Sequence, residues 1–326
     1  MQLRSRRAAL VALATLCAVA PALAQSNYPN RPLTFVVPYP PGGAADVFAR
    51  QLAGELAKRL GQAVVVDNRP GANGNLGSAS VVKAPADGYT LLLGTASTVA
   101  INPPLYGDKM PYDPARDLAP VSTTHSMANV LVVNTATPYK SVQDVVAAAK
   151  AKPGALAYAS AGNGNTMHLA GEQFRAQAGI DLLHVPYKGG PPALNDVLGG
   201  QVPMMFNNLP AILPMVKSGK LRALAVAAPK RSCLLPDVPT MEEAGLKGYV
   251  STVWNGVYVR AGTPRPIVDR LNREVVAALG DAELRASLEE QGYDLIPSTP
   301  EQFGQLARSD SVRWGAVVRQ SGATID

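Results

Sequence analysis

This sequence has little cysteine and few aromatic residues for its length. Of its 326 residues two are cysteines, and Cys17 lies in a segment that we expect to be removed. Cys233 then has no partner in the chain, so we predict no intrachain disulfide. Aromatic residues make up only 6% of the chain. That content argues against a base-stacking surface for single-stranded nucleic acid.

Motifs for nucleotide phosphates, ester hydrolysis and metal ions are also missing. The glycine-rich segments at residues 71–77 and 162–164 do not match G-x-G-x-x-G, and no Lys-Ser/Thr pair follows either of them. The chain has no G-x-S-x-G elbow, no His-x-x-x-His pair and no cysteine cluster. We therefore predict no cofactor and no metal.

An exported hydrolase is the enzyme alternative that the residues leave open. Ser160, His168 and Asp181 supply the side-chain types of a nucleophile, a base and an orienting acid. We expect His168 to lie inside a helix, where a histidine more often packs against or caps a neighbouring loop. The preferred prediction is therefore that the chain is not an enzyme.

The first 24 residues have the pattern of a signal peptide. Three arginines precede an apolar run at residues 8–20, and a small-x-small cleavage motif ends at Ala24. The run is short for a membrane span and Pro21 ends it, so an anchor is the weaker alternative. Leu16 does not fit the small residue that a lipoprotein signal places before its cysteine. We predict an exported chain that begins at Gln25.

The net charge is small once this segment is removed. The full chain carries a formal charge of +6, and residues 1–24 contain three arginines and no acidic residue, which leaves +3. That charge is too low to indicate nucleic acid and is compatible with a small anionic ligand. The length and the 47% hydrophobic content predict about two domains with a sizeable core.

The strongest positive pattern is a strand, a Pro/Gly turn and a helix at residues 34–60. The apolar residues 35–37 predict a parallel strand, and the prolines that follow end it. Gly42 and Gly43 allow a sharp turn and a close approach of the backbone to another molecule. The start of the helix then presents unpaired N–H groups, which favour an anion. Asp46 would repel an anion, so we predict that it holds the loop.

Strand–loop–helix units recur along the chain, with strands predicted at residues 63–66, 89–93, 130–133 and 156–159. Such a succession predicts a parallel or mixed sheet with helices on its faces. Ligands of these sheets bind outside the carboxyl ends of the strands. Because the second half repeats the design of the first, we predict two similar α/β lobes whose loops face a common cleft.

Several segments in order resemble the Bug family, the extracytoplasmic solute receptors of tripartite tricarboxylate transporters. They include VPYPPGG at 37–43, DNRPGANGNLG at 67–77, SAGNGNTMHL at 160–169, VPYKG at 185–189 and LPDVPT at 235–240. The resemblance covers essentially the whole mature chain. It implies a periplasmic, two-lobed binding protein of the type II kind, in which each lobe is a mixed sheet flanked by helices.

The resemblance also implies how the chain is divided and what it binds. Lobe one is expected at residues 25–127 and 249–326, lobe two at residues 128–248, and the ligand cleft between them. The expected ligand is a small organic anion, a carboxylate, and the expected partners are membrane transporter subunits. A monomer without nucleic acid is expected. A ligand sensor for a membrane signalling receptor is the alternative role.

The predicted site residues lie on loops of both lobes, with contacts carried over to residues 39–44, 160–166 and the turn at Tyr187. Many members have an aspartate where this chain has Asn207, which cannot pair with a ligand ammonium, so an amino-acid ligand is less favoured. The full set is Tyr39, Pro41, Gly42, Gly43, Ala44, Asp46, Thr95, Ser97, Ser160, Gly162, Asn163, Gly164, Thr166, His168, Tyr187, Lys188 and Asn207.

Overall fold

The structure is a computed structural model that describes residues 28–321, so the predicted signal peptide lies outside the described residues. Its strands are β1 (Leu33–Val37), β2 (Val64–Asn68), β3 (Thr90–Thr95), β4 (Leu118–Asn134), β5 (Ala157–Ser160), β6 (Leu183–Pro186), β7 (Met204–Asn208), β8 (Leu221–Val226), β9 (Thr252–Arg260) and β10 (Asp294–Leu295). Its helices are α1 (Ala44–Leu60), α2 (Asn75–Val82), α3 (Asn102–Tyr106), α4 (Pro114–Asp117), α5 (Val142–Ala151), α6 (Thr166–Ala178), α7 (Gly190–Leu198), α8 (Leu209–Lys217), α9 (Arg265–Leu279), α10 (Ala282–Glu290) and α11 (Pro300–Ser321).

Lobe one is built on a mixed sheet with strand order β2-β1-β3-β9-β4. β1 is parallel to β2 and β3, whereas β9 is antiparallel to β3 and to the first part of β4. The predicted apolar run at residues 35–37 is fully buried, as expected of a strand inside a parallel array. Helix α1 buries Phe48, Leu52 and Leu56 in the same core and ends at Gly61, whose φ of 65° is left-handed.

Lobe two has its own mixed sheet, in which β4 lies between β8 and β7, and β5 and β6 continue from β7. The pairs β5–β6 and β5–β7 are parallel. Leu131 and Val133 pack into the core on one face of β4, while Val130 and Val132 pack into the core on the other. This alternation is the two-residue period of a strand that is covered on both faces.

Strand β4 runs through both sheets and joins the lobes. It pairs with β9 as far as Ala128, and from Asn129 onward it pairs with β7 and β8. The segment that leads back from lobe two to β9 crosses beside β4, where the N–H of Asn129 donates to the carbonyl of Ser251 at 3.0 Å. The prediction of a strand at residues 130–133 was too short. Residues 118–129 are rich in polar side chains, and their strand depends on pairing with the distant β9.

Helix ends follow from local sequence in some places and not in others. Ser141 caps α5 in a reciprocal capping box with Asp144. Helix α8 was not predicted, because it contains Pro210 and Pro214; the first of these lies in the first turn, where the missing N–H costs no helical bond. Across residues 28–321, no helix combines the length and the apolar character that crossing a membrane requires.

Candidate functional site

The two lobes enclose an inner cavity of about 260 Å³ at the ends of their strands. Lobe one contributes the loop after β1, the residues that follow β3, and β9. Lobe two contributes the starts of α6 and α7 and the end of β7. The lining residues include Tyr39, Gly42, Gly43, Ala44, Ala45, Thr95, Ser97, Asn165, Thr166, Met167, Pro191, Asn207, Asn208 and Asn255.

The lobe-one wall is a set of neutral hydroxyl groups. The hydroxyl of Tyr39 lies 3.1 Å from Oγ1 of Thr95, which in turn accepts from the N–H of Thr98 at 3.3 Å. Burial in this wall raises the pKa of Tyr39, so its phenol stays protonated near neutral pH. These groups can donate to a ligand oxygen without contributing a charge.

Asp46 holds the turn that begins α1, as the sequence predicted. Its carboxylate accepts from the N–H of Gly42 at 2.9 Å, from Nδ2 of Asn68 at 2.9 Å and from Arg50 at 2.9 Å. Burial alone would raise the pKa of Asp46, but the hydrogen bonds from Arg50, Gly42 and Asn68 outweigh it and hold the pKa below its usual range. The acid is thus neutralised by its partners, and it does not line the inner cavity.

The first turn of α1 leaves donors toward the cavity. Ala44 and Ala45 line the cavity and precede the first helical hydrogen bond, which runs from Val47 N–H to the carbonyl of Gly43. Within residues 28–321, the N–H groups of Ala44 and Ala45 have no acceptor. They lie at the positive end of the helix dipole, where an anion is stabilised.

The lobe-two wall repeats this arrangement at the start of α6. The side chain of Asn165 caps the helix by accepting from the N–H groups of Met167 and His168, both at 2.9 Å. Gly164 donates its N–H to Nδ1 of His168 at 2.9 Å. In the described part of the chain the N–H and hydroxyl of Thr166 have no acceptor, and Thr166 lines the cavity.

Among the described residues 28–321, Tyr39, whose phenol is neutral, is the one ionisable side chain that lines the inner cavity. Its polar groups are hydroxyls, N–H groups and asparagine amides, and its apolar wall includes Met127, Met167 and Val253. Two helix starts, α1 and α6, approach it from opposite lobes. The dipoles of these helix starts contribute a positive potential to the cavity.

Ser160 and His168 do not form a nucleophile–base pair. Ser160 is fully buried beneath its loop, and its hydroxyl lies 2.6 Å from Nε2 of His184 and 3.1 Å from the carbonyl of Gly162. Asp181, the third residue of the hydrolase alternative, forms an ion pair with Arg175. These contacts support the loop between β5 and α6.

His168 is held as a neutral, structural side chain. Its ring stacks on His184 with centroids 3.9 Å apart, and Nδ1 accepts the loop hydrogen bond from Gly164. Burial, with a smaller contribution from Arg175, lowers the pKa of His168 to about 4. It does not line the inner cavity.

Gly42 also lines the inner cavity, whereas the remaining predicted residues lie outside it. Gly162, Asn163, Tyr187 and Lys188 line a second, outer cavity of about 770 Å³ that shares Tyr39, Pro40 and Ala161 with the inner one. Pro41 is exposed and lines neither cavity. Gly164 packs against Leu105 of lobe one. The structure thus divides the predicted set into an inner wall, an outer wall and supporting residues.

The inner wall also contains asparagines that the sequence did not single out. Asn255 lies on β9 opposite Thr95 and is joined to His125, with 2.9 Å between Nδ2 and Nε2. Asn208 follows Asn207 and donates to Oδ1 of Asn129 at 3.1 Å. Only Asn208 had a local signal, because it adjoins a predicted site residue at a strand end. Asn255 reaches the site through strand register, which local patterns do not reveal.

Comparisons with known proteins agree with this architecture. The family model of the tripartite tricarboxylate transporter family receptor matches residues 48–323. Protein BugT of Bordetella pertussis is 40% identical over 308 residues, which cover 94% of this chain and 94% of BugT. The structure of R. palustris Rpa4515 with adipate has a TM-score of 0.88 at 38% identity and covers 91% of this chain and 99% of that chain.

A second solved structure gives the same result. MatC from Rhodopseudomonas palustris with bound malate has a TM-score of 0.84 at 34% identity, and the match covers 89% of this chain and 100% of that chain. The family resemblance and the two-lobed α/β fold predicted from the sequence are confirmed. The chain therefore belongs to the tripartite tricarboxylate transporter receptor family, whose members are periplasmic solute-binding receptors and not enzymes.

Proposed function

We propose that this receptor binds a small organic carboxylate in the inner cavity and delivers it to the membrane subunits of a tripartite tricarboxylate-type transporter. One observation carries the proposal. Over residues 28–321, two helix starts from opposite lobes carry N–H groups without an acceptor at the wall of a cavity that no charged side chain lines. A carboxylate placed there accepts from Ala44 and Ala45 on one side and from Thr166 on the other.

The comparisons support this ligand class. Rpa4515 was solved with adipate and MatC with malate, and both structures match this chain over about nine tenths of its length. Because an uncharged wall offers no counter-ion for an ammonium group, the site favours an acid over an amino acid. We propose that Tyr39, Thr95, Ser97 and Asn207 orient the rest of the ligand.

The proposal includes the division and location of the chain. We propose lobe one at residues 25–127 and 249–326 and lobe two at residues 128–248, with rotation at the two crossings. The change of strand partners at Asn129 and the crossing at Ser251 support these limits. We further propose that the mature protein begins at Gln25 after export to the periplasm and acts as a monomer.

Titration calorimetry with acids and their neutral amides tests the ligand class. Adipate and malate are compared with adipamide and malamide, which keep the skeleton and remove the charge. We expect binding of at least one acid and more than hundredfold weaker binding of its diamide, because the charge-assisted hydrogen bonds are lost. Equal binding of acid and diamide would contradict the proposal. Other carboxylates are also possible ligands. Mass spectrometry of the ligand that co-purifies with the native protein identifies further acids for the same titration.

A further inference from the structure

Three close contacts join Thr124, His125 and Asn255 behind the wall of the inner cavity. The hydroxyl oxygen of Thr124 lies 3.1 Å from Nδ1 of His125 and 3.1 Å from the backbone carbonyl oxygen of Asn255. Nε2 of His125 lies 2.9 Å from Nδ2 of Asn255. The register between β4 and β9 shifts between Thr123 and His125, and such a bulge re-aims side chains. It brings the neighbours Thr124 and His125 together, although adjacent side chains of a regular strand point to opposite faces.

A single placement of the protons satisfies all three contacts. The ring of His125 is fully buried against Phe48 and Tyr293, and this burial lowers its pKa to about 3, so the ring is neutral. The backbone carbonyl of Asn255 can only accept, so the one hydroxyl proton of Thr124 is directed to it. The hydroxyl oxygen then accepts from Nδ1–H of His125, which leaves Nε2 as an acceptor. Nε2 therefore accepts from the side-chain N–H of Asn255.

This placement determines which end of the Asn255 amide faces the inner cavity. Nδ2 is turned to His125, and Oδ1 has no partner in the part of the chain that the structure describes. This oxygen is not among the unpartnered polar atoms that are sealed from open space, so it is accessible, and Asn255 lines the inner cavity. The lobe-one wall thus presents a hydrogen-bond acceptor at this position.

Lobe two presents a second acceptor for a similar reason. Nδ2 of Asn129 donates to the carbonyl of Thr166 at 3.4 Å and to the hydroxyl of Ser251 at 2.9 Å. Because that carbonyl can only accept, the amide of Asn129 is fixed, and its Oδ1 accepts from Nδ2 of Asn208 at 3.1 Å. Among residues 28–321, Oδ1 of Asn208 has no partner; it is accessible, and Asn208 lines the inner cavity. Two amide oxygens, one from each lobe, therefore face the ligand.

We infer that His125, held in its Nδ1-protonated form by Thr124, is a positioning residue that turns the amide oxygen of Asn255 toward the ligand and so makes the site prefer carboxylates with a hydroxyl group. This inference rests on the proposed function, which places a carboxylate at the helix starts. An amide oxygen repels a carboxylate oxygen but accepts from a hydroxyl. A ligand without such a donor leaves the oxygens of Asn208 and Asn255 unpaired in a desolvated cavity, which lowers its affinity.

Nitrogen-15 NMR of the histidine rings tests the proton placement without any ligand. The three histidines, at positions 125, 168 and 184, are assigned by replacing each in turn with glutamine. Near neutral pH we expect the proton of His125 on Nδ1 in the wild type and in Thr124→Ser, which keeps the hydroxyl. In Thr124→Val the buried Nδ1–H has lost its acceptor, so the proton should move to Nε2. A wild-type proton on Nε2 would reverse the amide of Asn255 and overturn the inference, and this result does not depend on the folding of any Thr124 variant.

Calorimetry with matched acids tests the consequence for binding. The pairs are malate with succinate, 2-hydroxyadipate with adipate and lactate with propionate. Each pair is titrated into the wild-type protein, Thr124→Ser and Thr124→Val, and melting temperatures establish that the variants are folded. We expect the wild type and Thr124→Ser to prefer the hydroxy acid of at least one pair by about tenfold, and Thr124→Val to lose this preference.

Two results would overturn the inference while acid binding still supports the proposed function. One is equal or tighter binding of the deoxy acid in every pair by the wild type. The other is a preference for the hydroxy acid that persists in Thr124→Val. Failure of every acid to bind would overturn both the proposed function and the role of Asn255 in selection.

Discussion

Pro40 of lobe one packs against Gly189 of lobe two so closely that a Cβ built on Gly189 would lie 2.8 Å from Cγ of Pro40. Leu105 of lobe one meets Gly164 of lobe two in the same way, since a Cβ built on Gly164 would overlap the Leu105 side chain. The lobes thus touch at two glycines, Gly164 and Gly189. A residue without a side chain at these positions permits the close approach of the lobes.

Gly189→Ala should weaken ligand binding by about tenfold or more. The added methyl overlaps Pro40 only when the lobes are together, and overpacking of this kind costs about 1–3 kcal/mol. Because a ligand that contacts both lobes binds the closed state, a penalty on that state lowers its affinity. Calorimetry gives the affinity, and small-angle scattering gives the compactness with ligand present.

The control is Gly245→Ala, since Gly245 also has a left-handed φ, of 93°, but no atom lies within 4 Å of its built Cβ. The Gly245→Ala variant therefore has the same kind of backbone strain as Gly189→Ala but adds no contact between the lobes. Equal affinities of the two variants would show that the Pro40–Gly189 contact does not control closure.

Gly43→Val should weaken carboxylate binding by about a hundredfold or more while the protein stays folded. The φ of Gly43 is −83°, which valine tolerates, and its built Cβ would lie 3.8 Å from Pro191 across the cleft. The branched side chain then blocks access to the N–H groups of Ala44 and Ala45, and two lost charge-assisted bonds are worth about 3–6 kcal/mol. Unchanged affinity in a folded variant would remove this loop from the site.

Asn207→Asp should weaken binding of the same acid more than Asn207→Ala does. Both variants lose the amide, but only aspartate adds a negative charge to a fully buried position on the cavity wall. Like charges at short distance in a desolvated site repel strongly. Calorimetry near neutral pH measures both variants. If the aspartate variant bound the acid as well as the alanine variant, the ligand charge would not lie near position 207.

Low pH should destabilise the protein, and its buried histidines should contribute to this effect. Burial lowers the pKa of His125 to about 3, and burial with the Arg175 charge lowers that of His168 to about 4. In the unfolded chain a histidine titrates near 6.5. Below that pH the unfolded state binds protons that the folded state does not, so the free energy of unfolding falls as pH drops from about 6.5 toward about 4.

Each of these histidines contributes about 1.4 kcal/mol per pH unit in that window and nothing to the slope above it. Urea denaturation at several pH values measures the slope. His168→Gln removes one titrating group, so its slope should be smaller by that amount, whatever its stability at pH 7. An identical slope in the variant and the wild type would show that His168 titrates normally in the folded protein.

The sequence allowed the fold to be predicted where the signals were local. The apolar run at residues 35–37 and the turn and helix that follow it each depend on a few neighbouring residues. The family resemblance then placed Gly43 and Thr166 on facing loops. Both residues line the inner cavity in the structure.

The parts that were missed depend on distant contacts. The first half of β4 is polar and becomes a strand through β9, which lies more than a hundred residues further on. Asn255 enters the site through the register between β3 and β9. The hydroxyl of Ser160 contacts His184 because the parallel strands β5 and β6 bring the two residues together. Local sequence does not show this strand pairing, so it could not indicate that His184, and not His168, is the partner of Ser160.

The most direct test is a crystal structure of the mature protein with the ligand that co-purifies from its native source and is identified by mass spectrometry. We predict a carboxylate in the inner cavity, with its oxygens at hydrogen-bond distance from the N–H groups of Ala44 and Ala45 and from Thr166. A ligand without an acidic group, or one that contacts residues of only one lobe, would contradict the account.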